Sequence, residues 1–385
     1  MKKILIVTPS FAIGGTNSSL FAFLSQVNRE EICVDIFAMK HLGYYRDVLP
    51  NCHILNESVW LNDRILCGGI FKKVCNYIIR GIKRFLSLCR CNIRDLSIKI
   101  GGYLLKTQNY DAVLSYQEDF SGFISKLPAK KRIAWIRCEY DRYYEIHHHV
   151  NETEIYRKID TVVCVSKFAR NSFLRFYPAM DEKTVVIHNF MDVVGLREKA
   201  KEDISFHEDF DDSSFTIISI GRIDRVKQFE MIPLIAKKIK EKTDKPFKWY
   251  IIGGTSKDLE LVSLLRQRIN DNGLKNTVYL LGEITNINPY LSRADILVHT
   301  SKSETFSRVV NEAKALCVPP VINDYACATE FVKNGVDGYI TNNSIMDDII
   351  TELMNNPSKI EEVRKVLQKE QYDNNALMKK IEGII

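Results

Sequence analysis

Residues 295–316 read DILVHTSKSETFSRVVNEAKAL. Ile296, Leu297 and Val298 make a short apolar run, the pattern of a strand buried on both faces. The stretch that follows is small and polar and carries no period. From Phe306 onward, Phe306, Val309, Val310 and Ala313 recur at helical spacing. The segment is therefore a strand, an irregular turn and a helix, with Glu304 in the turn and Glu312 inside the helix. Two carboxylates eight positions apart arise often by chance, so their surroundings must decide what they do.

Outward from this unit the same alternation recurs. KILIVTP, CVDIFAM, YDAVLSY, RIAWIRC, DTVVCVS and KTVVIHN come at helix-sized intervals in the first half, and FTIISIG, FKWYIIGG, TVYLLGE and VPPVIND complete a second series. Short runs rich in Ile and Val, spaced in this way, predict parallel sheets covered on both faces. Between the series, KAKEDISFHEDFDDSS is acidic and poor in large apolar residues, which places a linker there. The expected organisation is a first Rossmann-like domain over 1–198, a linker over 199–213, a second such domain over 214–365 and a terminal segment over 366–385. In open sheets of this class ligands gather at the carboxyl ends of the strands.

Composition agrees with two globular cores. The chain has 385 residues, 45% of them apolar and 26% charged, which excludes a disordered or fibrous protein. MKKILIVTPS reads as a first buried strand and not a secretion signal, because Thr8 and Pro9 interrupt the apolar run. No stretch is long and apolar enough to span a bilayer. The ten cysteines include no CxxC pair, which fits neither a zinc site nor a stapled domain and suggests reduced thiols in cytoplasm.

The net charge of +6 is unevenly spread. Residues 64–106 carry many Lys and Arg, among them Lys72, Lys73, Lys83 and Arg84, against the single acid Asp95. Ile70, Phe71, Val74, Ile78, Ile82, Phe85 and Leu86 fall at helical spacing within it. Such a helix can lie in a membrane interface and be drawn to anionic lipid; the other reading packs it on the first domain with a solvated basic face. Few aromatics suited to base stacking accompany the charge, so nucleic acid is not expected.

SIGRIDRVKQF, after the first strand of the second series, sets Gly221 where the chain must turn tightly. Arg222 and Lys227 then supply cations for a diphosphate. A solvated basic pair is the plainer alternative. Other motifs weaken on inspection: DFD at 209–211 has a metal-binding form but lies in the linker, and the side chains of HHH at 147–149 diverge on any regular element. No metal and no cofactor are expected.

GRIDRVK, YIIGG, LLGE, YLSRADILVHTSKSETFSRVVNEAKA, PPVI and TEFVKNGVDGYI together resemble the retaining, nucleotide-sugar-dependent glycosyltransferases of the family usually numbered four, among them capsular and exopolysaccharide enzymes. GGT at 14–16, VSKFAR and VIHNFMD agree more loosely, and the closing YDNNALMKKIEGII is similar to the family's terminal helix, which implies that 366–385 packs back toward the first domain. The resemblance implies an α/β protein of the GT-B fold, two Rossmann-like domains with parallel sheets facing a central cleft. It implies that Glu312 accepts the ribose hydroxyls of the donor and that Glu304 lies near the sugar. Thr305, Phe306 and Ser307 would present backbone amides to the diphosphate at the helix N-terminus. Gly14, Gly15, Gly221 and Gly253 would complete the donor site, with Arg222 and Lys227 stabilising the leaving group.

Arg137 stands where many relatives carry a sugar-contacting histidine; with Asn189 it is a candidate for acceptor or sugar contact, or else a structural arginine paired with Glu139 or Asp141. The family's usual glycines are replaced by Thr305 and Ser307. The activity implied is retaining transfer of a sugar, from a UDP-sugar to a glycan or lipid-linked acceptor, at the inner face of the membrane. An isomerase resembling the UDP-GlcNAc 2-epimerases, or a non-catalytic nucleotide-sugar-binding partner, are the rival readings.

Overall fold

The computed structural model describes the chain apart from residues 13, 57–59, 61–69, 89–92, 148–151, 205–209, 211–212 and 255–257, and apart from the side chains of 70–73, 76, 86–88 and 93–95. Most of the DFD and HHH motifs and the start of the basic segment lie outside the described residues. Two compact units emerge, one formed by Met1–Met191 with Asp373–Ile385 and the other by Asp192–Tyr372.

In the first unit, β1 (Lys2–Ser10), β2 (Ile32–Lys40), β3 (His53–Ile54), β4 (Ala112–Ser115), β5 (Arg132–Ile136), β6 (Thr161–Cys164) and β7 (Thr184–Val186) form one parallel sheet in the order β3-β2-β1-β4-β5-β6-β7. The second holds β8 (Phe215–Ile220), β9 (Phe247–Ile252), β10 (Val278–Gly282), β11 (Ile296–His299), β12 (Pro320–Asn323) and β13 (Tyr339–Thr341), parallel in the order β10-β9-β8-β11-β12-β13. Each quoted apolar run of both series is a strand. In each sheet the order reverses once, between β1 and β4 and between β8 and β11, and a crevice opens at the carboxyl ends of such a pair.

The apolar runs are buried because both faces of each sheet are covered: Ile4, Leu5, Ile6 and Val7 of β1 have no exposure, nor do Ile296, Leu297 and Val298 of β11. One polar thread crosses the second core. Trp249 of β9 donates Nε1–H to Ser219 Oγ of β8 at 3.0 Å, and that hydroxyl donates to Val298 O of β11 at 2.7 Å. Each such bond contributes about 1 kcal/mol net, and together they register three strands behind the loops that follow β8 and β11.

The division between units falls at 191/192, before the expected 198, because the helix Val193–Lys199 packs on the helices Asn288–Ser292 and Arg308–Ala315 of the second unit. The expected linker is also less bare than its composition suggests, with Ile204 buried and Phe210 packed on Tyr250 and Tyr290. The chain returns to the first unit at Asp373 and not at 366, since Leu367 still sits in the second unit's core. There Asp373 caps the helix Asn374–Ile384 through Ala376 N, and Asn374 exchanges two hydrogen bonds with the backbone of Met191.

Candidate active site

The loop after β8 is shaped by two glycines. Gly221 and Gly253 have φ of 155° and 151°, and a Cβ on Gly253 would lie 1.7 Å from Gly221 O. Only glycine allows the loops after β8 and β9 to meet so closely, so Gly253 acts by shaping Gly221's loop. Asp224 then folds the chain back, its Oδ1 accepting from Val226 N and Lys227 N at 3.0 Å each. Lys227 thus lies in a turn just ahead of the short 3-10 turn Phe229–Met231, which leads into the helix Ile232–Lys242. Thr300 Oγ1 donates to Lys227 O at 2.6 Å and Lys302 N to Val226 O at 2.9 Å, which joins this loop to the one after β11. Arg222 lies alongside with its side chain 82% exposed, 3.4 Å from Asp224.

The join brings Lys227 Nζ to 2.5 Å from Glu304 Oε1. The same oxygen lies 3.0 Å from Nε2 of His299, the last residue of β11. Both partners fall on Oε1, and no described residue donates to Oε2. Burial opposes ionisation of Glu304, yet the His299 bond and the Lys227 charge outweigh it and hold the carboxyl well below the usual range. Burial and the nearby Lys227 push the His299 imidazole down, against the pull of Glu304, so the ring is neutral. Lys227 and Glu304 are 18% and 13% exposed at the side chain, open enough for a ligand and dry enough for their charges to act strongly.

Glu312 lies in the helix Arg308–Ala315, as the spacing indicates, largely buried but not closed off. Its Oε1 takes a 2.7 Å bond from Arg308 Nη2, again leaving Oε2 without a donor among the described residues. Both glutamates are therefore gripped by one oxygen and present the other. Between them Thr305 and Phe306 form the bend, Phe306 packs edge-on against Phe331, and Ser307 begins the helix without a side-chain cap. The first backbone N–H groups of the helix are left for a ligand or water.

The first unit carries its own candidates at the carboxyl ends of β1, β5 and β7, with Glu118 after β4. Gly14 and Gly15 stand exposed where the helix Gly15–Ser25 starts, and a Cβ on Gly14 would meet nothing within 4 Å. Arg137 donates Nη1–H to Asn189 Oδ1 at 2.7 Å and Nε–H to Tyr116 O at 2.9 Å, with its guanidinium 3.9 Å over the Tyr116 ring. The two candidate contacts are thus one bonded pair. The suggested Asp141 partner is engaged elsewhere, by Arg175 and Ser172.

Three residues near these groups were not singled out in the sequence. His299 and Arg308 hold the glutamates, and Glu118 Oε2 accepts from Arg137 N at 3.0 Å, its carboxyl raised chiefly by burial. A histidine closing an apolar strand was the one available signal for His299. Among the described residues no group of three or more His, Cys, Asp or Glu is placed to hold a metal ion.

Residues 200–373 match the family model described as Glycosyl transferases group 1. The match falls almost wholly within the second unit. Over 172 residues the chain is 29% identical to the N-acetylgalactosamine-N,N'-diacetylbacillosaminyl-diphospho-undecaprenol 4-alpha-N-acetylgalactosaminyltransferase of Campylobacter jejuni subsp. jejuni. That stretch covers 44% of this chain and 43% of the relative, under half of each. Among solved structures, HepE of Anabaena in complex with UDP and glucose superposes with a TM-score of 0.75 at 17% identity, covering 100% of this chain and 99% of that one. A variant of S. aureus TarM in complex with fondaparinux, alpha-GlcNAc-glycerol and UDP gives 0.72 at 15%, again over 100% and 99%. At these identities the likeness is one of fold. It is the GT-B fold, over the chain's whole length.

Proposed function

We propose that the protein is a retaining glycosyltransferase that moves a sugar from a UDP-sugar to a glycan or lipid-linked acceptor in cell-surface polysaccharide assembly. One observation carries this: two glutamates flank a helix N-terminus, each with one oxygen held and the other presented, beside an ordered lysine. Glu312 takes the ribose hydroxyls, the helix amides and Arg222 take the diphosphate, and Lys227 and Glu304 face the reacting end. As the bond to the sugar breaks, charge grows on the leaving diphosphate. Lys227, turned to the bound diphosphate in a dry site, stabilises that charge as it grows. The departing phosphate accepts the acceptor's proton on the same face, so the scheme uses no protein base and no metal.

The first unit, through Arg137, Asn189 and Glu118, receives the acceptor. A lipid-linked acceptor is supported by the diphospho-undecaprenol substrate for which the Campylobacter relative is named and would place the protein at the cytoplasmic membrane surface. The helix Ile70–Leu88 suits that location. Val74, Tyr77, Ile78, Ile82 and Phe85 are exposed on it, in a segment rich in Lys and Arg. Lys83 is tied by a 2.9 Å bond to Trp60 O. No described helix is long and apolar enough to cross a membrane.

Incubation with a panel of sugar nucleotides tests the proposal. Transfer or slow hydrolysis releases UDP, an isomerase would interconvert sugars and release none, and a binding module would do neither. Glu312→Ala should weaken UDP binding by about tenfold or more, the cost of hydrogen bonds to a charged group, as read by calorimetry. Unchanged affinity would remove Glu312 from the ribose.

A further inference from the structure

His299 is a costly residue at its position. Its side chain has no exposure, and Nδ1 meets no hydrogen-bond partner among the described residues. An unmet polar atom inside a core is destabilising, a penalty that an apolar residue such as leucine would avoid. The other nitrogen shows what is gained. Nε2 lies 3.0 Å from Glu304 Oε1 and 3.2 Å from Ser307 Oγ, while the ring packs edge-on to Tyr325. In the neutral ring the proton belongs on Nε2, where it is donated to the carboxylate, and the bare Nδ1 is the lone-pair nitrogen.

Lys227 also binds Oε1, but through a long side chain that a ligand's phosphate competes for. His299 is held by the strand and cannot follow. When the lysine turns to a diphosphate, the imidazole alone keeps the orientation of Glu304, with Oε2 still presented.

We propose that His299 is a positioning residue for sugar transfer, fixing Glu304 through Oε1 so that Oε2 meets the donor sugar; this rests on the donor-site reading above. The interaction is with Glu304 and not with the nucleotide, so loss of the donor N–H should lower kcat and spare UDP affinity.

The test uses His299→Leu, which fills the space without a donor, and His299→Gln, whose amide can place an N–H near that of Nε2. Each full-length variant is compared with wild type for UDP release from a UDP-sugar, for UDP affinity by calorimetry, and for melting temperature. His299→Leu should fold, bind UDP within about twofold of wild type and lose about 100-fold in kcat, the scale of a small misplacement of a reacting group. His299→Gln should recover most of that loss. Wild-type kcat in a folded His299→Leu protein would overturn the proposal, as would a glutamine variant no better than leucine, or parallel losses of UDP affinity and turnover. If wild type itself neither bound UDP nor released it from any UDP-sugar, the donor-site reading would fall first and take this role with it.

Discussion

Glu304 keeps its charge although it is nearly buried, because a lysine and an imidazole converge on one of its oxygens. That arrangement has a pH signature whose sign is determined. Unfolded chains protonate an ordinary histidine below 6.5, whereas folded His299 stays neutral to lower pH, so its stability contribution is present above 6.5 and lost as pH falls. Glu304, also depressed, adds a further loss below 4.5. The melting temperature of wild type relative to His299→Gln should therefore fall as pH drops below about 6.5; a difference independent of pH would contradict this. Lys227→Gln should lower kcat at saturating donor by about 100- to 1,000-fold, the usual loss on removing one preorganised donor. Wild-type turnover in UDP release would take Lys227 out of the mechanism.

The strand-turn-helix unit at 295–316 was legible because an apolar run and a helical period meet at a polar break, and Glu312 followed from that period. β3, only His53–Ile54, was not: two residues on a sheet edge leave no pattern. Arg308 reads as an ordinary charge at a helix start until its partner one turn on is seen. Lys314 in the same helix is hidden for another reason, since its partners are remote in sequence. Buried, it donates to Phe331 O at 2.9 Å and pairs with Asp337 at 3.1 Å and Glu370 at 2.8 Å. This network ties the helix bearing Glu312 to the segment before Tyr372. Lys314→Ala leaves buried charge uncompensated and should cost about 3–5 kcal/mol in denaturant unfolding, while a loss under 1 kcal/mol would mark the network as marginal.

Across the molecule, the second sheet repeats the strand order of the first up to β6, and the candidate residues lie at the carboxyl ends of the strands, most of them near each reversal of strand order. The order of the strands was not readable from apolar runs, which give number and spacing but not neighbours. The exposed apolar face of the helix Ile70–Leu88 belongs to this scale also. Phe85→Asp, at a site 66% exposed, should reduce flotation with anionic vesicles by about tenfold; unchanged flotation would locate membrane contact elsewhere. On the proposed reading the second unit holds a nucleoside diphosphate across the helix Arg308–Ala315. A crystal structure with UDP should show ribose hydroxyls on Glu312 and a diphosphate reached by Arg222 and Lys227. UDP bound away from that helix, with Glu312 still engaged by Arg308 alone, would contradict it.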